Sequence, residues 1–189
     1  RPVRRSCSAV NKLIRRELWK ESGFQFPKGR YYEDLATIPK VMTKTKKIVY
    51  LPEVYYYYLM RDGSIMHSRN FEKNYEDRTW AVDQLLEYFE RENLIETYRN
   101  ELEYLVFENT YFVPSKEIVL NDRKSEYLKK FRDYAYNKFP QMNKNYYVQQ
   151  IAGKDKILLK LLQYRMYGMM VLMSQLRRMK DRLAAVSRR

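Results

Sequence analysis

The sequence is poor in glycine, cysteine and histidine, and each shortage excludes a class of site. Only 5 of the 189 residues are glycine. Neither G-x-G-x-x-G nor G-x-x-x-x-G-K-[ST] occurs, which excludes a glycine-rich phosphate loop. The single cysteine, Cys7, excludes an internal disulfide and a cysteine-based zinc site. The single histidine, His67, argues against a catalytic triad and a histidine-rich metal centre.

Apolar and aromatic side chains, by contrast, are abundant. Hydrophobic residues make up 45% of the chain, which contains 19 Tyr and 8 Phe. A chain of this length and composition can bury a core in one domain, or one and a half. The same composition argues against disorder throughout.

Positive charge is concentrated at the two ends of the sequence. Residues 1–30 contain nine Lys and Arg against two Glu, and residues 154–189 contain ten against two Asp, within a net charge of +14. The middle of the chain is therefore close to neutral. Basic ends suit an anionic partner such as phospholipid, a sugar-nucleotide diphosphate or nucleic acid. Solvated basic faces without a ligand are the alternative.

The first 72 residues predict a mixture of helices and strands. Apolar spacing indicates helices over 9–21 and 32–43, the second interrupted by Pro39. Two runs rich in β-branched and aromatic residues, 47–51 and 54–59, predict two strands. Four consecutive tyrosines in the second run would present two rings to each face of a strand.

Residues 73–189 predict a helical region that follows this mixed segment. Helical spacing recurs through residues 74–150, typical of a small bundle of about three helices. The predicted fold class is therefore α+β and mostly helical. We expect one division, between a partial α/β segment at 1–72 and a helical region at 73–189.

A basic amphipathic helix is predicted from about Lys154 to the end of the chain. Lys160 and Arg165 interrupt its apolar first part, which makes it a poor transmembrane candidate. Its later part predicts an apolar stripe among basic residues: Met173, Leu176, Met179, Leu183 and Val186. Such a helix is typical of an interfacial membrane helix. A helix that packs on the bundle and exposes its charges is the alternative.

Residues 29–35, G-R-Y-Y-E-D-L, form the stretch around which the chain is organised. They place Glu33 and Asp34 at the predicted start of a helix. Acidic residues in a first helical turn are favoured by the helix dipole at roughly 0.3–1 kcal/mol each, so the pair has a purely structural explanation. A catalytic carboxylate at Asp34 is the functional one.

Three patterns together resemble the C-terminal part of a family 2 glycosyltransferase with the GT-A fold. Residues 11–18, N-K-L-I-R-R-E-L, resemble the helix N-K-L-x-[RK]-R-E-L of that family. Residues 26–35 resemble its loop F-P-x-G-x-x-x-E-D-L. Residues 48–65 resemble its strand pair followed by Y-Y-x-x-R-x-x-S-I. The resemblance covers residues 9–70, and its specificity comes from the order and spacing of the three patterns.

The resemblance implies an inverting sugar transfer with Asp34 as general base. Asp34 would take the proton from an acceptor hydroxyl while that oxygen attacks the anomeric carbon. Glu33 would orient the site or the sugar. The resemblance further implies that Arg61 and Ser64 lie near the donor diphosphate, and that Asn11 and Lys12 line the same cleft.

The resemblance also implies a larger protein than this chain. No Asp-x-Asp occurs here, whereas the nucleotide-binding half of the family carries this motif and uses it to hold Mg²⁺ or Mn²⁺. We therefore expect an inactive acceptor-side fragment, with the metal ligands mostly outside it. The expected partners are a nucleotide-sugar and a glycan or lipid-linked acceptor, in surface polysaccharide synthesis. Another copy of the chain, or a rearrangement, would have to cover the exposed sheet edge. The expected location is the cytoplasm, or the inner face of the membrane.

Two non-enzymatic interpretations compete with this one. A nucleic-acid-binding module could use the basic ends and the tyrosines, but the tyrosine run lies in the neutral middle and no recognition motif is present. A membrane-surface module would use the terminal helix alone. His67 lies just past the loop that contains Arg61 and Ser64, and it could reach a metal.

Overall fold

A computed structural model describes residues 7–59 and 70–186, and across these residues the regular structure is helical, with no β-strand. The chain divides into two compact units, Arg1–Val106 and Phe107–Arg189. The predicted α+β class is therefore wrong for the described residues. The helical character expected after residue 73 is confirmed.

The first unit contains α1 (Arg16–Ser22), α2 (Glu33–Thr43), α3 (Phe71–Arg91) and most of α4 (Arg99–Phe107). α1 is shorter than the predicted helix over 9–21, because residues 9–11 form a turn in which Lys12 N–H donates to the Ala9 carbonyl, 3.1 Å. The predicted helix over 32–43 is confirmed as α2, with Pro39 inside it.

Packing of α2 on α3 builds the core of the first unit. Helical spacing places apolar side chains on one face of each helix, and these side chains are removed from water. α3 begins at an N-cap, Asn70, whose side chain accepts a hydrogen bond from Lys73 N–H, 2.9 Å. The buried side chains include Leu35, Ile38, Val41, Ala81, Val82, Leu85 and Phe89.

The two predicted strands, 47–51 and 54–59, are not formed. These residues have no regular secondary structure, and the rings of Tyr55 to Tyr58 are 51–86% exposed. Period-two alternation predicts a strand only if one face is buried and the backbone is paired with a neighbouring strand. The described residues provide no such neighbour, so the strand-forming composition alone does not produce a sheet.

The second unit follows α4 through a π-helical segment, Glu108–Phe112, into α5 (Val113–Asn121) and α6 (Tyr127–Lys138). A short 3₁₀ turn, Met142–Lys144, and α7 (Tyr146–Gln149) lead to α8 (Gly153–Gln163) and α9 (Tyr167–Val186). Phe107, Phe112 and Phe131 are buried in this unit, and the first two stack with their ring centroids 5.5 Å apart.

The predicted terminal helix is divided into α8 and α9. The helix is interrupted at Tyr164 and Arg165, and Arg165 adopts a left-handed backbone conformation with φ of 55°. α9 packs on α5 and α8. Within the described part of the chain, no helix combines the length and apolar character needed to cross a membrane.

Candidate functional site

The loop at residues 28–32 is fixed to α3 by the buried carboxylate of Asp77. Arg30 Nη1 lies 2.8 Å from Asp77 Oδ1, and Lys73 Nζ lies 2.9 Å from Oδ2. The backbone N–H of Tyr31 also donates to Oδ2, at 3.0 Å. The Asp77 side chain is only 1% exposed, whereas both cations reach solvent. Two cations and one backbone donor therefore compensate a single buried charge, an arrangement we call the Asp77 clamp.

The pKa of Asp77 reflects the balance within this clamp. Burial acts to raise the pKa of the carboxyl, because it disfavours the charged form. The hydrogen bonds from Arg30, from the Tyr31 N–H and from Lys73 outweigh burial, so that the pKa of Asp77 lies below its ordinary value. The carboxylate is therefore ionised at neutral pH and holds the loop in place.

Aromatic contacts order the two tyrosines of the loop. Lys73 Nζ lies 4.7 Å from the ring centroid of Tyr31, and the Arg78 guanidinium lies 4.4 Å from that of Tyr32. These distances are typical of cation–π contacts. The Tyr32 hydroxyl donates to Asn74 Oδ1, 2.9 Å away. α3 thus contacts both tyrosine side chains as well as the backbone N–H of Tyr31.

Two positive φ angles turn the chain from the loop into α2. Gly29 has φ of 75°, a conformation that glycine adopts without steric cost. Tyr32 has φ of 61° and is the N-cap of α2, although its side chain makes no capping hydrogen bond. A left-handed tyrosine is strained, and such strain persists only where surrounding contacts hold it. Here the Asn74 and Arg78 contacts hold Tyr32, and Glu33 and Asp34 follow in the first turn.

Asp34 is half-buried and contacts the segment that precedes α1. Its Oδ2 accepts a hydrogen bond from the backbone N–H of Ala9, 3.0 Å away and 25 residues earlier in sequence. Among the described residues, no hydrogen bond to Oδ1 is formed. One carboxylate oxygen is therefore fixed, and residues 7–59 and 70–186 leave the other available to a further donor. Glu33 is also half-buried and occupies the same first turn of α2.

Lys12 is close enough to Asp34 for their charges to interact. Burial lowers the pKa of Lys12 below its ordinary value, while Cys7 and Asp34 act in the opposite direction. Lys12 Nζ donates to the Ser8 carbonyl at 2.6 Å and to Asn11 Oδ1 at 2.8 Å. These two hydrogen bonds hold the ammonium group of Lys12 on the segment whose Ala9 N–H donates to Asp34.

Of the six residues selected from the sequence, the structure relates Lys12 to Asp34 electrostatically and to Asn11 by a hydrogen bond. Glu33 precedes Asp34 in the first turn of α2. The other two, Arg61 and Ser64, lie outside the described residues, as does His67. Sequence reasoning missed Arg30, Lys73 and Asp77, which position the loop. The only available signal was the i,i+4 spacing of Lys73 and Asp77 on a predicted helix.

The described residues offer no ready metal site. Within residues 7–59 and 70–186, no group of three or more His, Cys, Asp or Glu side chains lies close enough together to hold an ion. The pair of Glu33 and Asp34 alone does not make a cage for a hard divalent cation, which takes six or more oxygen ligands.

Comparisons with known proteins leave the site to be interpreted from its own chemistry. The chain matches no protein-family model, and comparison with curated proteins and with solved structures found no significant similarity.

Proposed function

We propose that this chain is the acceptor-side part of an inverting glycosyltransferase in which Asp34 is the general base. The observation that supports the proposal is the contact of the E-D-L loop with the segment that carries the N-K-L pattern. Ala9 lies just before the N-K-L pattern, and its N–H donates to the carboxylate of Asp34 in the E-D-L loop. Lys12, within the first motif, interacts electrostatically with the same carboxylate.

The proposed chemistry is one displacement step. An acceptor hydroxyl donates a hydrogen bond to Oδ1 of Asp34 and attacks the anomeric carbon of the donor sugar. A carbon–oxygen bond forms, the bond from the sugar to the nucleoside diphosphate breaks, and the proton moves to Asp34. A base placed within hydrogen-bond distance contributes about 100- to 10,000-fold to such a step.

The Asp77 clamp and the Ala9 hydrogen bond act as positioning contacts in this scheme. They fix the orientation of the carboxylate before the acceptor binds, and preorganisation of this kind lowers the barrier by reducing the ordering needed later. Glu33 is proposed to orient the sugar or the acceptor from the same helical turn. Lys12 keeps a positive charge next to the base.

The donor side is proposed to come from residues beyond those described here. Arg61 and Ser64 are proposed to contact the donor diphosphate, where a guanidinium stabilises negative charge on the leaving group. Mg²⁺ or Mn²⁺, when bound, would neutralise the same diphosphate, with most of its ligands supplied from outside this chain. The proposed acceptor is a glycan or a lipid-linked sugar.

The test uses the natural protein that contains this chain. Release of nucleoside diphosphate is measured with UDP-, GDP- and dTDP-sugars, and membranes from a host strain that lacks the gene supply the acceptor. In Asp34→Asn, we expect turnover to fall by about 100-fold or more. Binding of the donor nucleotide should be unchanged, because the base does not contact it.

Glu21→Gln is the matched control, because Glu21 is an exposed carboxylate at the end of α1. It should release nucleoside diphosphate at the wild-type rate. The proposal fails if Asp34→Asn turns over at a rate close to wild type. It also fails if the wild-type protein releases no nucleotide with any of these donors.

A further inference from the structure

A stripe of exposed apolar side chains runs along α9. Its six members are 36–71% exposed, although each is a large hydrophobic residue. At 3.6 residues per turn they fall within an arc of about 120° on the helix surface. We call this set the α9 stripe: Met169, Leu172, Met173, Leu176, Met179 and Leu183.

The stripe is not the face by which α9 packs on its own unit. α9 contacts α5 and α8, and the side chain it buries is Met170, which is 2% exposed. On the helix surface, Met170 lies about 120° from the centre of the stripe. Intramolecular packing therefore uses one side of α9 and leaves the stripe in water.

Positive charge accompanies the stripe. Arg177, Arg178 and Lys180 are all exposed on α9, and residues 154–189 contain ten Lys and Arg, two Asp and no Glu. Arg177 lies at the border of the stripe, and Lys180 lies within its arc. The long stem of Lys180 can follow the apolar surface while its ammonium group reaches a polar layer.

We propose that α9 binds the surface of an anionic phospholipid bilayer, lying in the plane of the headgroups with the α9 stripe inserted. This surface goes beyond the proposed sugar transfer and does not depend on it. A convex stripe of flexible Met and Leu side chains fits a deformable, planar partner. The adjacent cations complement anionic headgroups, at about 1 kcal/mol for each Lys or Arg near the surface.

The positive charge of α9 disfavours a second copy of this chain as the partner that covers the α9 stripe. Pairing two α9 stripes would bring two strongly basic segments together, and like charges at short distance repel. An acidic protein would need an apolar groove that matches the stripe in shape, whereas a lipid surface deforms around it. The lipid surface is the one partner that meets both the apolar and the basic features.

The experiment measures co-sedimentation of the whole chain with vesicles. Phosphatidylcholine vesicles are compared with vesicles that contain phosphatidylcholine and phosphatidylglycerol in a two-to-one ratio. We expect binding to the anionic vesicles only, and weaker binding as salt is raised. The variant Leu176→Gln/Met179→Gln should bind at least ~10-fold more weakly, because it removes apolar insertion without changing charge.

The matched control is Leu120→Gln/Ile157→Gln. Leu120 and Ile157 are exposed apolar residues of the same unit that lie outside α9, so this control should bind like wild type. Neutralising Arg177, Arg178 and Lys180 to Gln should weaken binding about 100-fold. Circular dichroism checks that every variant keeps its helical content.

Three results would overturn the proposal. The first is equal binding to neutral and anionic vesicles, or to neither. The second is binding that the charge variant loses but the stripe variant keeps, which indicates adsorption without insertion. The third is a stable dimer in sedimentation velocity that the stripe variant dissociates, which would assign the stripe to a contact between copies.

Discussion

Two tyrosine-rich regions of the first unit, residues 28–34 and 47–59, have opposite environments. Tyr31 and Tyr32 are partly buried and contacted by cations from α3, and Tyr32 also donates a hydrogen bond to Asn74. The rings of Tyr55 to Tyr58 remain largely in water. The residue type is the same, so the difference comes from what surrounds it. α3 supplies Lys73, Asn74, Asp77 and Arg78 to the first region, whereas no strand within residues 7–59 and 70–186 pairs with the second.

The largest expected change in stability follows from removing the two cations of the Asp77 clamp. In Arg30→Met/Lys73→Met, the buried Asp77 carboxylate keeps only the Tyr31 N–H. We expect a loss of about 3 kcal/mol in the free energy of unfolding, because an uncompensated charge remains buried. Urea unfolding followed by tryptophan fluorescence measures it. Both tryptophans, Trp19 and Trp80, belong to the first unit.

Adding Asp77→Asn to that double variant is the control. It removes the buried charge, so we expect stability to recover substantially towards the wild-type value. If the third substitution instead adds a further loss, the cations do not act through Asp77. The clamp would then not explain why residues 28–34 are ordered.

A smaller effect concerns the pH dependence of the same clamp. The pKa of Asp77 is lowered in the folded protein, and an unfolded Asp titrates at about 3.9. Between these two values the unfolded state binds more protons, so stability rises with pH. The contribution of Asp77 is complete above the unfolded pKa and is lost as pH falls through the folded one.

The comparison of wild type with Asp77→Asn isolates this contribution from other carboxylates. We expect the wild-type advantage in unfolding free energy to be largest above about pH 5 and to shrink as the solution approaches about pH 3. Urea unfolding at a series of pH values measures it. An advantage that stays constant or grows on acidification would contradict the assigned sign.

The smallest expected effect lies in the exposed region. Replacing all of Tyr55 to Tyr58 by Ser should change the free energy of unfolding by no more than about 0.5 kcal/mol, because exposed side chains contribute little. The matched variant Tyr31→Ser/Tyr32→Ser should lose about 2 kcal/mol, since it removes a hydrogen bond and two cation–π contacts. Comparable losses in the two variants would remove the distinction between the regions.

The outcome at particular elements shows how far sequence reasoning extends. α2 and α3 were predicted because their apolar residues recur at helical spacing over several turns, a pattern that needs no knowledge of the partner. The position of Glu33 and Asp34 at the start of α2 followed from that prediction. α1 was predicted too long, because residues 9–11 form a turn although their composition is compatible with a helix.

The prediction of strands over 47–51 and 54–59 was wrong for a different reason. A helix satisfies its backbone hydrogen bonds within itself, whereas a strand depends on residues elsewhere in sequence or in another chain. Period-two alternation shows that a segment could form a strand, but it does not show whether a second strand is present to pair with it. The same limit hid the Asp77 clamp, since Arg30 and Asp77 are separated by 47 residues along the chain.

The sequence by itself determined the helices with repeated apolar faces, the basic ends and the place of the carboxylate pair at a helix start. These features depend on local spacing and composition, which can be read from the sequence without knowledge of the fold. The tertiary structure alone decided that α3 anchors residues 28–32, that Ala9 and Lys12 approach Asp34, and that α9 buries Met170 while its stripe stays exposed. Each of these depends on which distant surfaces meet, and the free energy of such contacts is a property of the folded chain.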